Sequence, residues 1–242
     1  SFEKRSFIIY TECAVLEESL LKERMVKKLS IIVLSSFATT VAMGDIYVDP
    51  VGDIATGNAN LDITQVEVTD NGTDLVVRLT VDNLDGDWGK YLFFMDAWDG
   101  GSPDNDNPWG RNISGTEGMD IFAGSWIDNG GGVDAQEYGV GAWGALPFVA
   151  SVWVDWDNNT IQWNFYDLIA GLTSAGLTGF EFEVATTGGG WGDPAIDLLG
   201  GEQVQPGWGG GSESIDRHYY AIPAPSALAL LALAGLARRR RS

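Results

Sequence analysis

The chain has 242 residues and a strong excess of acidic side chains, with 34 Asp and Glu against 14 Lys and Arg and a formal net charge of −20. This charge disfavours nucleic acid and anionic membrane surfaces as ligands, because both repel an acidic protein. Cations, neutral ligands or solubility remain as uses of the acidic surface, and the length suits one domain with a sizeable core.

The first 44 residues have the pattern of an export signal that follows an extension. Two lysines after Met25 are followed by an apolar run over 29–41 and by small residues that end at Gly44. This order is typical of a secretory signal peptide, so 25–44 is predicted to be one, with cleavage after Gly44. Residues 1–24 are predicted to be an untranslated or disordered extension, the alternative being a short cytoplasmic segment.

Removal of both chain ends leaves a segment that is more acidic and has no cysteine. Residues 45–222 keep four basic side chains against 29 acidic ones, a net charge of about −25. The only cysteine, Cys13, lies in the extension. The segment therefore forms no disulfide, although an exported protein would permit one, and its stability must come from its core.

The first half of this segment predicts three strands. Residues 49–60 are rich in Gly and Asn and are predicted to form a loop rather than a strand. Apolar residues alternate with polar ones over 61–68 and 75–81, and the Asn-Gly turn at 70–72 between them predicts a β-hairpin. Residues 91–95 are apolar on both sides, which indicates a central strand.

The second half predicts further short strands and one helix. Strands are predicted at 119–122, 137–140, 149–155, 160–165 and 179–186. A turn at 157–159 joins two of them, and one helix is predicted over 166–172, with its start at Asn164. This pattern predicts an all-β fold, a single antiparallel β-sandwich over 45–205, followed by a linker over 206–221.

The C-terminal segment, 222–242, has the order of a sorting signal. The motif Pro223, Ala224, Pro225 precedes an uncharged run, 226–237, that is shorter than the ~20 residues of a membrane-spanning helix. The run stops at four arginines, Arg238, Arg239, Arg240 and Arg241. Their charge would keep the terminus on the cytoplasmic side of a membrane during export. This order resembles the PEP-CTERM sorting domain of exported bacterial proteins.

The PEP-CTERM resemblance implies a route and a partner. It implies recognition by an exosortase-type membrane protease, transient anchoring in the inner membrane, cleavage near the proline motif and delivery to the cell surface or extracellular matrix. Ala224 stands where the family usually has glutamate. The alternative for the apolar run, a buried amphipathic helix, requires a polar stripe that 227–237 lacks.

Three pieces of the 45–222 segment carry a second resemblance. They are the DPxGD opening at 49–53, the hairpin at 61–81 and the block GDPAIDLL at 192–199. In this order they resemble the β-sandwich of the family-nine carbohydrate-binding modules and the related DOMON-like domains. The resemblance implies the sandwich fold, a carbohydrate ligand and calcium in a structural role.

All 10 tryptophans lie within 45–222. Trp163 is in register with apolar neighbours and is predicted to be core, whereas Trp153 shares its strand face with polar residues and is predicted to point outward. An indole beside Gly, Asp and Asn offers a sugar both stacking and hydrogen bonds. Five tryptophans with such neighbours are predicted to contact carbohydrate: Trp88, Trp98, Trp109, Trp126 and Trp191. The alternative is that they cap the open ends of the sandwich.

The loop between Trp98 and Trp109 is acidic and contains glycine. Its side chains Asp99, Asp104 and Asp106 are predicted to bind a hard cation such as Ca²⁺. A solvated acidic loop is the alternative, because the EF-hand pattern is incomplete. A second set of candidate ligands comprises Asp49, Asp53 and Asp197.

Catalysis is not indicated by any motif. The one histidine, His218, lies near the predicted linker, so a Ser-His-Asp triad or a zinc site would lack its usual components. No motif marks the two carboxylates that glycoside hydrolysis needs. We expect an exported protein that binds extracellular polysaccharide without catalysis; the alternative is a structural protein of the matrix or cell surface with no small ligand.

Overall fold

The computed structural model describes residues 43–200, 205–212 and 216–223, which belong to one compact unit. The predicted extension 1–24, the signal peptide up to residue 42 and the sorting residues from Ala224 onward, which include the arginines 238–241, lie outside the described residues. Among the described residues, none of the helices has the length and apolar character needed to span a membrane.

The described residues form twelve strands and one short α-helix. The strands are β1 (Met43–Val48), β2 (Ile63–Asp70), β3 (Leu75–Val81), β4 (Lys90–Asp96), β5 (Ile121–Trp126), β6 (Gly132–Gly139), β7 (Ala142–Ala145), β8 (Ala150–Asp155), β9 (Thr160–Phe165), β10 (Gly179–Thr187), β11 (Ala195–Leu198) and β12 (His218–Ala221). Helix α1 spans Leu168–Ser174, and a 3-10 turn spans Ala59–Leu61.

The strands form two antiparallel sheets. The five-stranded sheet has the order β1-β2-β3-β9-β8, and the seven-stranded sheet has the order β11-β10-β4-β5-β6-β7, with β12 also paired to β10. β11 and β12 share one edge of β10, since β11 pairs with its last residues and β12 with its first. The structure thus shows the mostly β fold of two antiparallel sheets that a β-sandwich requires.

One hydrophobic core lies between the two sheets. The ring of Phe93 on β4 is 6.2 Å from that of Trp163 and 5.4 Å from that of Phe165, both on β9 (centroid distances). Alternate residues of β2, β3 and β9 are buried in this core, as the alternation in the sequence predicts. Trp163 is fully buried, so its predicted place in the core is confirmed.

The two sheets differ on their outer faces. On the seven-stranded sheet, Phe94 and Phe122 pack under Ile113 and Met119 of the long loop between β4 and β5. Strand β4 is therefore buried on both faces and flanked by β5 and β10, which confirms the predicted central strand. Most outer residues of β2, β3 and β9 in the five-stranded sheet are instead polar and half-exposed, for example Glu67 and Arg78.

Both predicted hairpins are present, and helix α1 begins later than predicted. The turn between β2 and β3 is held by Asn71, whose Oδ1 accepts hydrogen bonds from the backbone of Thr73 and Asp74 at 2.9 and 2.8 Å. Asn164 lies within β9, and Asp167 has a left-handed φ of 61°. Because a left-handed residue cannot continue an α-helix, α1 begins after it.

Strand β12 lies within 206–221, where the sequence predicts a linker. It pairs with β10, its residue Tyr220 is buried, and the Tyr220 hydroxyl donates to Asp70 Oδ2 at 2.6 Å. β1 likewise begins inside the predicted signal peptide, since Met43 pairs with Asp70. The fold therefore extends to Ala221 rather than ending at residue 205, because long-range pairing recruits short segments that carry little local signal.

Tyr220→Phe is expected to lower the free energy of unfolding by about 1 to 2 kcal/mol, because a buried carboxylate oxygen of Asp70 loses its donor. Urea denaturation measures this change. Tyr219→Phe is the matched control, since the neighbouring tyrosine is 55% exposed, and its effect should stay within about 0.5 kcal/mol. Equal effects of the two changes would mean that the hydrogen bond from Tyr220 to Asp70 adds no measurable stability.

Candidate functional site

Three of the five tryptophans predicted to contact carbohydrate are half-buried. The Trp109 indole donates from Nε1 to Asp134 Oδ2 at 2.9 Å, and its ring centroid is 6.3 Å from that of Trp126. Its ring also lies against Gly124, where a Cβ would collide with it. Trp98 packs against the central core. The Trp109 and Trp126 rings thus lie over the outer face of the seven-stranded sheet, beside Phe122, rather than at an open end of the sandwich.

The other two of the five predicted tryptophans are exposed. Trp88 is 40% exposed, and its ring is 6.0 Å from that of Trp208 with the planes tilted by 48°. Trp191 is 84% exposed and lies against Gly110, which has no side chain to displace it. Trp88, Trp208 and Trp191 line neither of the two grooves described below.

Two tryptophans do line one groove, and they are Trp153 and Trp156. The groove has a volume of about 480 Å³ and lies between β8 and the β5–β6 turn. Trp153 is 53% exposed, which confirms its predicted outward orientation, and Trp156 is 47% exposed. Trp156 was not predicted as a site residue, although the acidic and amide residues that follow it in the β8–β9 turn resemble the neighbours of the five selected indoles.

The groove combines apolar and polar surfaces. Val152 and Val154 supply apolar lining, and Ser151 supplies a hydroxyl. The opposite wall is the glycine turn 130–132, in which Gly130 and Gly131 have positive φ values of 94° and 71°. Such φ values favour glycine, so this wall presents backbone groups without side chains that would narrow the groove. Its volume is in the range of small-ligand sites.

A second groove, of about 540 Å³, is lined by Trp98 and Tyr219 together with Asp96 and Glu181. Arg217 bridges the two carboxylates, with Nη1 at 2.6 Å from Asp96 Oδ2 and 3.5 Å from Glu181 Oε2. Of the five predicted tryptophans, Trp98 is the one that lines either groove. Here a single indole faces an ion-paired acidic wall, which is a poorer match to a neutral sugar than two indoles.

Three acidic residues from distant parts of the chain meet near the ends of β1 and β11. Carboxylate oxygens of Asp49, Asp53 and Asp197 lie within 4.8 Å of one another. Asp49 accepts a hydrogen bond from the backbone N–H of Gly200, and Asp197 Oδ2 accepts one from Ile63 at 2.6 Å. Because Ile63 begins β2 and Asp197 is on β11, this acidic cluster connects the two sheets.

The acidic cluster is electrostatically unfavourable without a cation. Burial, assisted by the charges of Asp53 and Asp62 and opposed by the Gly200 hydrogen bond, raises the pKa of Asp49 to about 7. Burial, followed by the charge of Asp49, raises the pKa of Asp197 to about 9. Asp49 Oδ2 and Asp53 Oδ1 are buried without a hydrogen-bond partner among the described residues. These three side chains could therefore hold a metal ion. The ion would offset the cost of burying acidic groups close together and would give the two unbonded oxygens a partner.

The loop acids predicted as cation ligands form no comparable group in the described part of the chain. Asp104 Oδ1 accepts hydrogen bonds from the backbone of Gly115 at 2.6 Å and of Thr116 at 3.2 Å, so it closes its own loop. Asp99 is exposed. Among the described residues, the carboxylate oxygens of Asp99, Asp104 and Asp106 do not come together closely enough to share one metal ion. The candidate cation site is thus the second set of residues, Asp49, Asp53 and Asp197, rather than Asp99, Asp104 and Asp106.

No protein-family model matches this chain, and no curated protein matches it.

Proposed function

We propose that this protein is an exported, surface-targeted β-sandwich that binds extracellular polysaccharide without catalysis and is stabilised by Ca²⁺. The observation that supports binding is the groove in which Trp153 and Trp156 stand half-exposed beside the Ser151 hydroxyl and the backbone of 130–132. Indole faces stack on the apolar faces of sugar rings, while the polar groups bond their hydroxyls. The net charge of about −25 over 45–222 favours a neutral glycan.

The cation belongs to the acidic cluster of Asp49, Asp53 and Asp197. Carboxylate oxygens are the hard ligands that Ca²⁺ prefers, and its flexible coordination suits a site assembled from a loop and a strand. The bound ion would neutralise two buried acids and the half-buried Asp53 in a cluster that joins β1, β2 and β11, so its role is structural. The export route rests on the predicted signal at 25–44 and on the PEP-CTERM-like segment, with an exosortase-type protease as the processing partner.

The combined change Trp153→Ala and Trp156→Ala is expected to remove polysaccharide binding, with a loss of affinity of at least about tenfold. Native electrophoresis through gels that contain β-1,4-glucan, xylan, mannan or α-glucan measures the retardation. Trp191→Ala is the matched control, because it removes a more exposed indole outside the groove and should leave retardation unchanged.

Two results would contradict this proposal in different ways. If none of the four polysaccharides retards the wild-type protein, carbohydrate binding is overturned and the structural matrix protein is the better description. If the wild-type protein is retarded and the groove variant is retarded equally, the glycan binds elsewhere and the groove is the wrong site.

A further inference from the structure

A continuous row of hydrogen-bonded polar side chains crosses the outer face of the five-stranded sheet and ends at the groove. Arg78 on β3 donates from Nη1 to Glu67 on β2 at 2.8 Å and from Nε to Gln162 on β9 at 2.7 Å. Gln162 donates to Asn164 Oδ1 at 2.6 Å, and Asn164 donates to Ser151 Oγ on β8 at 3.3 Å. Ser151 also lines the groove. We call these five residues the polar row.

The strand register aligns the polar row with the groove. Glu67 pairs with Arg78, Arg78 with Gln162, and Gln162 with Trp153 of the groove. Adjacent strands lie ~4.8 Å apart, so the line from Trp153 on β8 to Glu67 on β2 is about 14 Å long. This line is longer than a single sugar ring, and it runs across the strands.

The polar row is held in place by its own hydrogen bonds and still has unused N–H donors that a ligand could accept from. Two of the five N–H donors of Arg78 are used in these bonds, and the amides of Gln162 and Asn164 each retain a second N–H. The side chains of Arg78 and Glu67 are 39% and 34% exposed. Side chains that are already ordered lose little entropy when a ligand binds, and sugar hydroxyls can both accept from and donate to them.

We propose that the polar row extends the glycan site, and that the ligand is an extended neutral polysaccharide whose chain runs across the strands from Trp153 towards Glu67. This inference rests on the proposed function, since the groove supplies the stacking end of the site. Arg78 is neutralised by Glu67, so the row offers no unpaired positive charge to an anionic glycan. A ligand that bound only through one terminal sugar would use the groove and make no contact with the row.

The inference is tested by the dependence of affinity on chain length. Isothermal titration calorimetry uses oligosaccharides, from disaccharide to hexasaccharide, of whichever of the four polysaccharides retards the wild-type protein most. Wild-type affinity is expected to rise about tenfold or more over this series. The combined change Gln162→Ala and Asn164→Ala should remove most of that rise and alter disaccharide affinity by less than about twofold.

Two further variants separate ligand contact from sheet stability. Gln136→Ala removes a half-buried amide of the other sheet, which also donates to a neighbouring side chain, and should leave the length dependence intact. Gln162→Glu keeps the acceptor for Arg78 and the side-chain volume while it removes the amide donor. It should reduce the rise in affinity even if the double alanine variant is too unstable to measure.

The outcomes distinguish this inference from the proposed function. If wild-type affinity does not rise with chain length, or if the row variants keep the rise, the polar row serves only the sheet and this inference is overturned, while the groove stands. If no polysaccharide retards the wild-type protein, the proposed function fails and this inference fails with it.

Discussion

Trp163→Ala is expected to lower the free energy of unfolding by about 3 to 5 kcal/mol, the largest single-residue effect in this protein. Trp163 is fully buried on β9, it lies in register between Val77 and Val152, and its ring contacts that of Phe93. Its removal leaves a cavity between the sheets that rigid β-strands can fill only in part. Urea denaturation with a common m-value measures the loss.

Trp163→Phe should lower the free energy of unfolding clearly less than Trp163→Ala does, and the larger volume of the phenylalanine side chain is only one reason. The Trp163 indole Nε1 is buried and has no hydrogen-bond partner among the described residues. Phenylalanine keeps most of the apolar contacts and removes this unsatisfied donor, whose burial itself costs about 1 to 3 kcal/mol. Trp191→Ala on the surface should change stability by less than about 0.5 kcal/mol. Equal losses for the alanine and phenylalanine variants would contradict this expectation, because phenylalanine both keeps apolar contacts and removes the unsatisfied Nε1 donor.

Ca²⁺ is expected to raise the melting temperature by about 5 to 10 °C relative to protein in chelator. At a free concentration about 100 times its Kd, a ligand that binds only the folded state stabilises it by about 2.7 kcal/mol. For a domain of this size, each kcal/mol corresponds to about 2 to 4 °C. Differential scanning calorimetry measures the shift, and the absence of a shift would remove the proposed cation.

The effect of Ca²⁺ should depend on pH in a defined direction. In the metal-free protein, the pKa values of Asp49 and Asp197, about 7 and about 9, lie above the ordinary value of 3.8. Between the ordinary value and these raised values, the folded state therefore binds more protons than the unfolded state. The stability of the metal-free protein consequently falls as the pH rises through this range. Bound Ca²⁺ requires ionised carboxylates, so its stabilising effect should be larger at about pH 9 than at about pH 5.

Two amide substitutions distinguish the acidic cluster from the loop acids. Asp197→Asn should abolish the Ca²⁺ effect, because it removes a ligand, and flatten the pH dependence of metal-free stability, because it removes the carboxyl group whose pKa is raised to about 9. Asp104→Asn should leave both intact, since its Oδ1 still accepts from Gly115 and Thr116. The reverse result would return the cation to the loop.

The elements predicted well from the sequence are those specified by local pattern. The alternation over 75–81 and 160–165 gives the bounds of β3 and β9, because one buried face per strand sets both the period and the register. The Asn-Gly turn is likewise a local signal. The short strands β11 and β12 were not predicted, because each is four residues long and is stabilised by pairing with β10, which no local window contains.

The same difference between local patterns and long-range pairing applies to the candidate sites. The cation site was predicted at Asp99, Asp104 and Asp106 because they are close in sequence. In the structure, however, Asp104 Oδ1 accepts hydrogen bonds from backbone N–H groups of its own loop. The acidic cluster unites residues 49, 53 and 197, which become neighbours through the pairing of distant strands. Trp153 could be oriented from strand alternation, whereas the groove could not be predicted, since it requires the β5–β6 turn to lie beside β8.

The position of β12 has a consequence for processing of the C-terminal segment. After β12 ends at Ala221, the backbone N–H of Ile222 still donates to Thr178 at 2.9 Å, so the motif at 223–225 follows the last strand without a spacer. A protease cleft that accepts extended residues on both sides of such a motif would have to peel β12 away from β10. If the C-terminal segment is processed as proposed, fraying of this strand would limit the rate of cleavage, and substitutions at Tyr220 that loosen the strand would speed it.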